Sequence, residues 1–465
     1  MDLTTATGFV TTYAFTDGVR CLLGGGGAIV LPAKVRLDGL TPTQTDAIRA
    51  LNAGALAVPA DADADIRQLV DRLIDLGALR LRVSVRSGDP AQDRNLYSLI
   101  PFRRPPGPRP AVSVDTPLLS RFTILRRTDL GIVAENPASW CDVVFHDAAA
   151  LTAITAPVPG DTLPDDVTAR LFADLSWAAM VSTAGVEERE FATRSWSPHE
   201  LWFHRRSTVG NRATSWSEFG PTRWAESTFD PLPARRPAYP GAVVDLPRPD
   251  LDALRLADRT LTEVVEDRRS VRSFDDDHPI TLAQLGELLY RSARTRDVRT
   301  IGQTRGIDEE LPSRPHPSGG SLYEMELYAV VRTSDGLKPG MYHYDSFDHV
   351  LRHVADYDHP AIARLIAPAA LTLSEGRQPQ VLLIAAARVG RIMWTYEQMT
   401  YAVILKHVGV LTQNLYLTAT AMGLGGVAQG YGDTSAFAEL TGNDELVECN
   451  VGSFVVGTPA PGPTD

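Results

Sequence analysis

The stretch YEQMTYAVILKHVGVLTQNLYLTATAMG, Tyr396–Gly423, is the longest uninterrupted helical pattern in the chain. Ile404, Val408, Leu411, Leu415, Ala419 and Met422 recur at steps of four and three, which draws one apolar stripe along a helix. Ala402, Val403, Leu405, Val410 and Leu417 are apolar too and lie off that stripe. A helix apolar around so much of its circumference must be covered, either at the centre of a domain or by a second subunit.

The neighbouring sequence supplies that cover. QPQVLLIAAARV, Gln378–Val389, reads as a continuous apolar strand at the middle of a sheet. ELYAVV and the closing VECNVGSFVVGTP read as further strands, and GLKPGMYHYDSFDHVLRHV as a hairpin turning at Gly340. TLAQLGELLYRSA is a second helix, capped by Thr281, with Leu282, Leu285, Leu288 and Leu289 as its apolar stripe.

Two glycine-rich loops interrupt these elements. One holds Pro315–Gly320, where glycine lets the backbone come close to a flat ligand and aim its amides at it. The other, MGLGGVAQGYGD, has neither the strand-first GxGxxG order of a dinucleotide fold nor the Lys-Ser/Thr ending of a P-loop. ATP or NAD binding of those kinds therefore loses support.

DRRSVRSF, Asp267–Phe274, gathers three arginines in a chain whose net charge is -12. In an extended segment Arg268, Ser270 and Arg272 project together while Arg269 points elsewhere. Two guanidinium forks and a hydroxyl on one side can cradle a phosphate monoester. The same residues could instead form a solvated basic turn paired with Asp275, Asp276 and Asp277.

Composition bounds the rest. With 44% hydrophobic and 22% charged residues the chain can fill real cores, and its acidity argues against general nucleic-acid binding. Cys21, Cys141 and Cys449 are too scattered for a metal site or a disulfide framework and read as reduced thiols. The start of the chain has no signal-peptide pattern, and no run of about 20 apolar residues could span a bilayer. A cytoplasmic protein, without metal, nucleic acid or membrane as partner, is expected.

Four regions are expected along the chain. Residues 1–110 carry a winged-helix-like order: the hairpin CLLGGGGAIVL, a helix capped by Thr41 with Pro42 at its first position, a second helix ending at Gly77, and the strand RLRVSV. Residues 111–230 carry a second, weaker version, with SRFTILRRTDLGIVAEN as two strands around a turn and DVTARLFADLSWAAMVST as a helix. Its WSPHELWFHRRSTVGN mixes aromatic and basic residues. The proline-rich 231–250 reads as an extended linker. Residues 251–465 hold the dense alternation of helix and strand.

In order, RRSVRSF, HPSGGSLYEMELYAVV, WTYEQMTYAVILKHVG, TQNLYLTATAMGLGG and VGSFVVG resemble the nitroreductase superfamily, and in particular its SagB-type peptide dehydrogenases, over about Leu251–Pro459. The resemblance implies an α+β fold, a mixed sheet surrounded by helices, in an obligate homodimer with FMN at the subunit interface. Arg268, Ser270 and Arg272 match its positions for the FMN phosphate and ribityl chain, with Arg269 in the same motif. Pro317, Ser318 and Gly319, followed by Gly320, match the loop that covers the flavin ring from the partner subunit. Gly423, Leu424, Gly425 and Gly426 match the segment lining the flavin. The winged-helix-like half resembles modules that recognise ribosomal precursor peptides.

The reaction so implied turns a thiazoline or oxazoline in a ribosomally made or carrier-bound peptide into the aromatic ring, hydride going to flavin N5, a protein base taking the proton and oxygen reoxidising the flavin. A YcaO-type cyclodehydratase is the implied partner. The family's proton-transfer pair is a lysine followed by a tyrosine; here Thr395 and Tyr396 stand at those positions. Threonine cannot supply the cation that would lower the tyrosine pKa. Lys406 and His407 are candidate substitutes. Other readings are an FMN-dependent oxidoreductase for another modified peptide or small molecule, including NAD(P)H-dependent nitroreduction, and a non-catalytic peptide-binding scaffold or regulator.

Overall fold

The computed structural model describes residues 8–59, 61–86, 93–110, 117–155, 163–213, 216–220, 222–302 and 308–461. The chain divides into two compact units, Met1–Arg212 and Ala213–Asp465. The stretch 213–230 therefore goes with the C-terminal unit, and the expected module boundary at 110/111 meets residues 111–116, outside the described residues.

In the first unit one seven-stranded sheet runs in the order Leu56–Pro59, Phe9–Phe15, Leu79–Val85, Arg94–Pro101, Cys141–Phe145, Gly131–Glu135, Ile124–Thr128. Every neighbouring pair is antiparallel. The Arg94–Pro101 and Cys141–Phe145 strands join the two stretches expected as separate modules, and one hydrophobic core runs beneath both. Ile48, Leu69 and Leu73 reach that core from the helices Pro42–Ala53 and Ala64–Asp75, Leu171 and Leu175 from the helix Asp165–Trp177. Thr41 caps its helix in a full capping box, and Gly25 and Gly26 turn the small hairpin at positive φ.

In the second unit seven strands lie in the order Val243–Asp245, Val350–Asp356, Gly340–Asp345, Met325–Val331, Val381–Arg388, Glu448–Gly457, Gly425–Gln429. The α+β fold with helices on both faces of a sheet is as expected, and all six pairings are antiparallel, where the resemblance implied a mixed sheet. Continuous apolarity reports cover on both faces, not strand direction. Val381, Leu383, Ala385 and Ala387 enter one core with the helices Leu282–Ala293 and Thr400–Ala421; Leu382, Ile384 and Ala386 enter another with Pro360–Ala370 and Thr434–Thr441. The hairpin turns at Ser346–His349, with Gly340 opening its first strand.

The proline-rich 231–250 is extended, and arginines tie it down. Arg388 donates to the carbonyls of Pro233 and Ala234 at 3.0 Å each, and Arg391 donates to that of Leu232.

Candidate functional site

Two clusters form along the helix Thr400–Ala421. At its C-terminal end the Tyr416 hydroxyl accepts from the Ala428 amide at 2.8 Å and lies 3.0 Å from Ser270 Oγ, while the Arg268 guanidinium sits 5.3 Å from the ring centroid. Tyr416 also packs edge-on against Phe454. Tyr416 falls within the long helix and the TQNLYLTATAMGLGG motif, but no role could be assigned to it from sequence, because its partners lie 146 positions away and 12 positions ahead.

The Val271 amide donates to the Gly426 carbonyl at 3.0 Å, which fixes the arginine motif along the glycine strand. A Cβ on Gly425 would fall 2.7 Å from Val271 Cγ1, and one on Gly426 2.3 Å from Phe454 Cζ. Close packing of chain on chain thus requires both glycines. Gly423, with φ +70°, ends the long helix in open space, and Leu424 is buried in the core.

Arg268 is half-buried, Arg269 and Arg272 are exposed, and no ion pair among the described residues engages any of the three. The acidic run has other partners: Asp275 holds His278 at 2.9 Å and Asp276 holds Arg332 at 2.6 Å. The alternative of a self-neutralised basic turn is therefore not what forms. Arg268 and Ser270, brought together at Tyr416, with Arg272 two residues on and no carboxylate partner for either arginine among the described residues, are of the chemistry that suits a phosphate monoester such as that of FMN.

Nearer the helix N-terminus lies the second cluster. The Gly319 amide donates to His407 Nε2 at 2.7 Å, so the ring proton sits on Nδ1 and points 2.7 Å to Glu324 Oε1. Glu324 is fully buried, and its Oε2 has no hydrogen bond among the described residues. With both nitrogens engaged, His407 ties the loop Pro317–Gly320 to the helix through the Gly319 amide. Lys406 is exposed. Ser318 Oγ accepts from the Tyr323 amide at 3.1 Å, and Gly320, Ser321 and Tyr323 all have positive φ. The non-glycine pair is strained backbone held in place by its surroundings.

Tyr396 meets that loop directly: a Cβ on Gly320 would lie 2.9 Å from the Tyr396 hydroxyl. Trp216 packs edge-on to Tyr396 with centroids 6.0 Å apart, and is itself 54% exposed. The Thr395 carbonyl accepts from the Thr222 amide and the Glu397 amide donates to the Gly220 carbonyl, so Gly220 and Thr222 lie against the segment Thr395–Glu397. Thr395 Oγ1 donates to Glu309 Oε1 at 3.4 Å. Burial pushes the Glu309 carboxyl above the usual carboxylate range and Glu226 adds to the rise, against the Thr395 hydrogen bond and Arg391. Arg391 itself is lowered to about 10, chiefly by burial, and donates to the Leu322 and Glu310 carbonyls at 2.7 Å each.

Among the described residues no helix is long and apolar enough to cross a membrane. Residues 265–458 match the family model described as Nitroreductase family, and residues 118–213 match the one described as Cyanobactin oxidase ThcOx. A Methanocaldococcus jannaschii protein assigned by name to the nitroreductases is 29% identical over 190 residues, 41% of this chain and 85% of that one. A solved structure from Ralstonia eutropha, likewise assigned to the nitroreductases, is 25% identical across 50% of this chain and 96% of its own, with a TM-score of 0.37. The E. coli microcin synthetase McbBCD complex with truncated pro-MccB17 bound is 18% identical across 56% of this chain and 86% of that one, with a TM-score of 0.34.

Proposed function

We propose, from the match of residues 265–458 to the nitroreductase family model, that the chain is an FMN-dependent, SagB-type dehydrogenase that oxidises thiazoline or oxazoline rings in a modified peptide. The observation that carries this reading is the pairing, in one chain, of that match with a segment at 118–213 matching a cyanobactin oxidase model. FMN, when bound, supplies the two-electron oxidant, with molecular oxygen as final acceptor.

Arg268, Arg272 and Ser270 hold the phosphate and ribityl chain through charge-assisted hydrogen bonds, and Tyr416 keeps Arg268 and Ser270 in place. Pro317–Gly320 and Gly423–Gly426 border the ring. His407 fixes the first loop by taking up the Gly319 amide. Tyr396, pressed against Gly320, orients the heterocycle, and Trp216 narrows the approach to it.

A homodimer completes the site. His407 and Tyr416 are nine residues apart on one helix, about 13 Å along its axis, so the two clusters of one chain are well separated. Tyr401, Leu405 and Val410 are exposed on that same helix, and Leu256, Leu261 and Val265 on the short helices Leu251–Ala257 and Leu261–Asp267. A surface so apolar suits a partner subunit. A cytoplasmic complex with a YcaO-type cyclodehydratase follows from the substrate.

The test is the visible spectrum of the purified protein, followed by an azoline peptide without oxygen. A yellow protein that bleaches while the peptide loses two hydrogens supports the reading. Bleaching by NAD(P)H with a nitroaromatic turned over, and none by azoline, would favour ordinary nitroreduction.

A further inference from the structure

We infer that Glu309 is the final acceptor of the proton released by the substrate, taken up through the Thr395 hydroxyl, so that a threonine–carboxylate pair stands in for a lysine. This deepens the azoline-oxidation reading and rests on it. Thr395 immediately precedes Tyr396, whose hydroxyl borders the ring-covering loop, and Thr395 Oγ1 lies 3.4 Å from Glu309 Oε1. Glu309 is 9% exposed, on the strand Asp308–Ser313. Arg391 ties that strand, through the Glu310 carbonyl, to Leu322 at the end of the loop. The carboxylate is therefore held behind the position where the family pattern has its lysine.

A threonine hydroxyl is no base alone. Backed by a carboxylate, it can receive the substrate's proton as its own proton passes to Glu309 Oε1. The balance is simple: one ring carbon loses hydrogen with its electron pair to the flavin, and the neighbouring carbon loses a proton. The electrons of that second carbon–hydrogen bond become the new ring double bond, and Glu309 ends as a carboxylic acid that returns its proton to water. The contact is longer than a tight O–H···O bond, as catalytic hydrogen bonds often are before substrate arrives. Burial and Glu226 raise the carboxyl while Thr395 and Arg391 restrain it, which brings a glutamate toward the working pH of an efficient base.

Two measurements on the full-length protein decide it. The first compares melting of wild type and Glu309→Gln across pH. A carboxyl raised in the fold favours folding below its unfolded pKa and loses that contribution as pH rises through the folded value. Glu309→Gln should therefore melt higher than wild type near neutrality, with the gap closing in acid. A gap that does not change with pH overturns the assignment.

The second follows anaerobic bleaching of the FMN-loaded protein by an azoline peptide across pH. Wild type should slow on the acid side as Glu309 is protonated. Glu309→Gln and Thr395→Val should bleach about 100-fold slower or worse and lose that acid limb, with FMN content unchanged. Glu309→Asp should keep the limb at a shifted midpoint, which separates chemistry from misfolding. Glu309→Gln that bleaches like wild type, or slows with the same pH dependence, overturns the inference alone. An FMN-loaded wild type that oxidises no azoline overturns the functional reading and this inference together.

Discussion

Arg268, Arg269 and Arg272 illustrate how a residue-level pattern gains meaning from what its neighbours do. Their spacing allowed either a phosphate cradle or a basic turn closed by Asp275–Asp277, and the acids turn out to be engaged by His278 and Arg332. Replacing Arg268 or Arg272 by alanine removes a charge-assisted hydrogen bond, about 1.5–3 kcal/mol. FMN should then bind the apoprotein roughly 10- to 150-fold more weakly, read from quenching of flavin fluorescence in a titration. A change below threefold for both would remove the phosphate role. Gly320 is legible as a glycine but not as a necessity: only the folded chain sets its φ at +63° with Tyr396 Oη against it. Gly320→Ala should cost about 1–2 kcal/mol from the left-handed backbone alone and displace Tyr396, so that denaturation and azoline-driven bleaching are both affected. His407 was one of two candidate lysine substitutes in the sequence, and the amide its ring engages lies 88 positions away.

The long helix was plain in the sequence, yet it begins at Thr400, not at Tyr396. Gln398 adopts φ 58°, which no right-handed helix contains, and so leaves Thr395 and Tyr396 outside the helix, with Tyr396 against the loop. The stripe Ile404, Leu411, Leu415 and Ala419 does enter the core as its periodicity requires. Leu411 is 1% exposed, so Leu411→Ala should destabilise the protein by about 2–5 kcal/mol, seen as a lower urea midpoint at unchanged slope. Leu405, exposed beside that stripe, should cost little when cut to alanine in an isolated subunit. The strand Val381–Arg388 was equally plain as an element, and its direction was not, because burial on two faces produces the same apolar run in parallel and antiparallel sheets.

For the whole molecule, the proposed dimer rests on apolar surface that one chain leaves uncovered. Leu405→Glu combined with Val410→Glu should shift the proposed dimer to monomers in sedimentation and lower the FMN retained, because in that arrangement each site draws on two subunits. A monomeric wild type that keeps a full complement of FMN would sink the shared-site arrangement. The N-terminal half teaches the same lesson about reach: its small hairpin, the helices starting at Pro42 and Ala64 and the strand Leu79–Val85 were readable, whereas the strands Phe9–Phe15, Arg94–Pro101 and Cys141–Phe145, and their joining into one sheet, were not. By itself the sequence determined the elements, the helix caps, the acidic balance and the motif order, because these depend on residues a few positions apart. The tertiary structure alone decided strand direction, the partners of Arg268, Ser270 and His407, and the placing of Glu309 behind Thr395. Those are contacts between residues tens to more than a hundred positions apart, and only packing selects which of the many possible ones form.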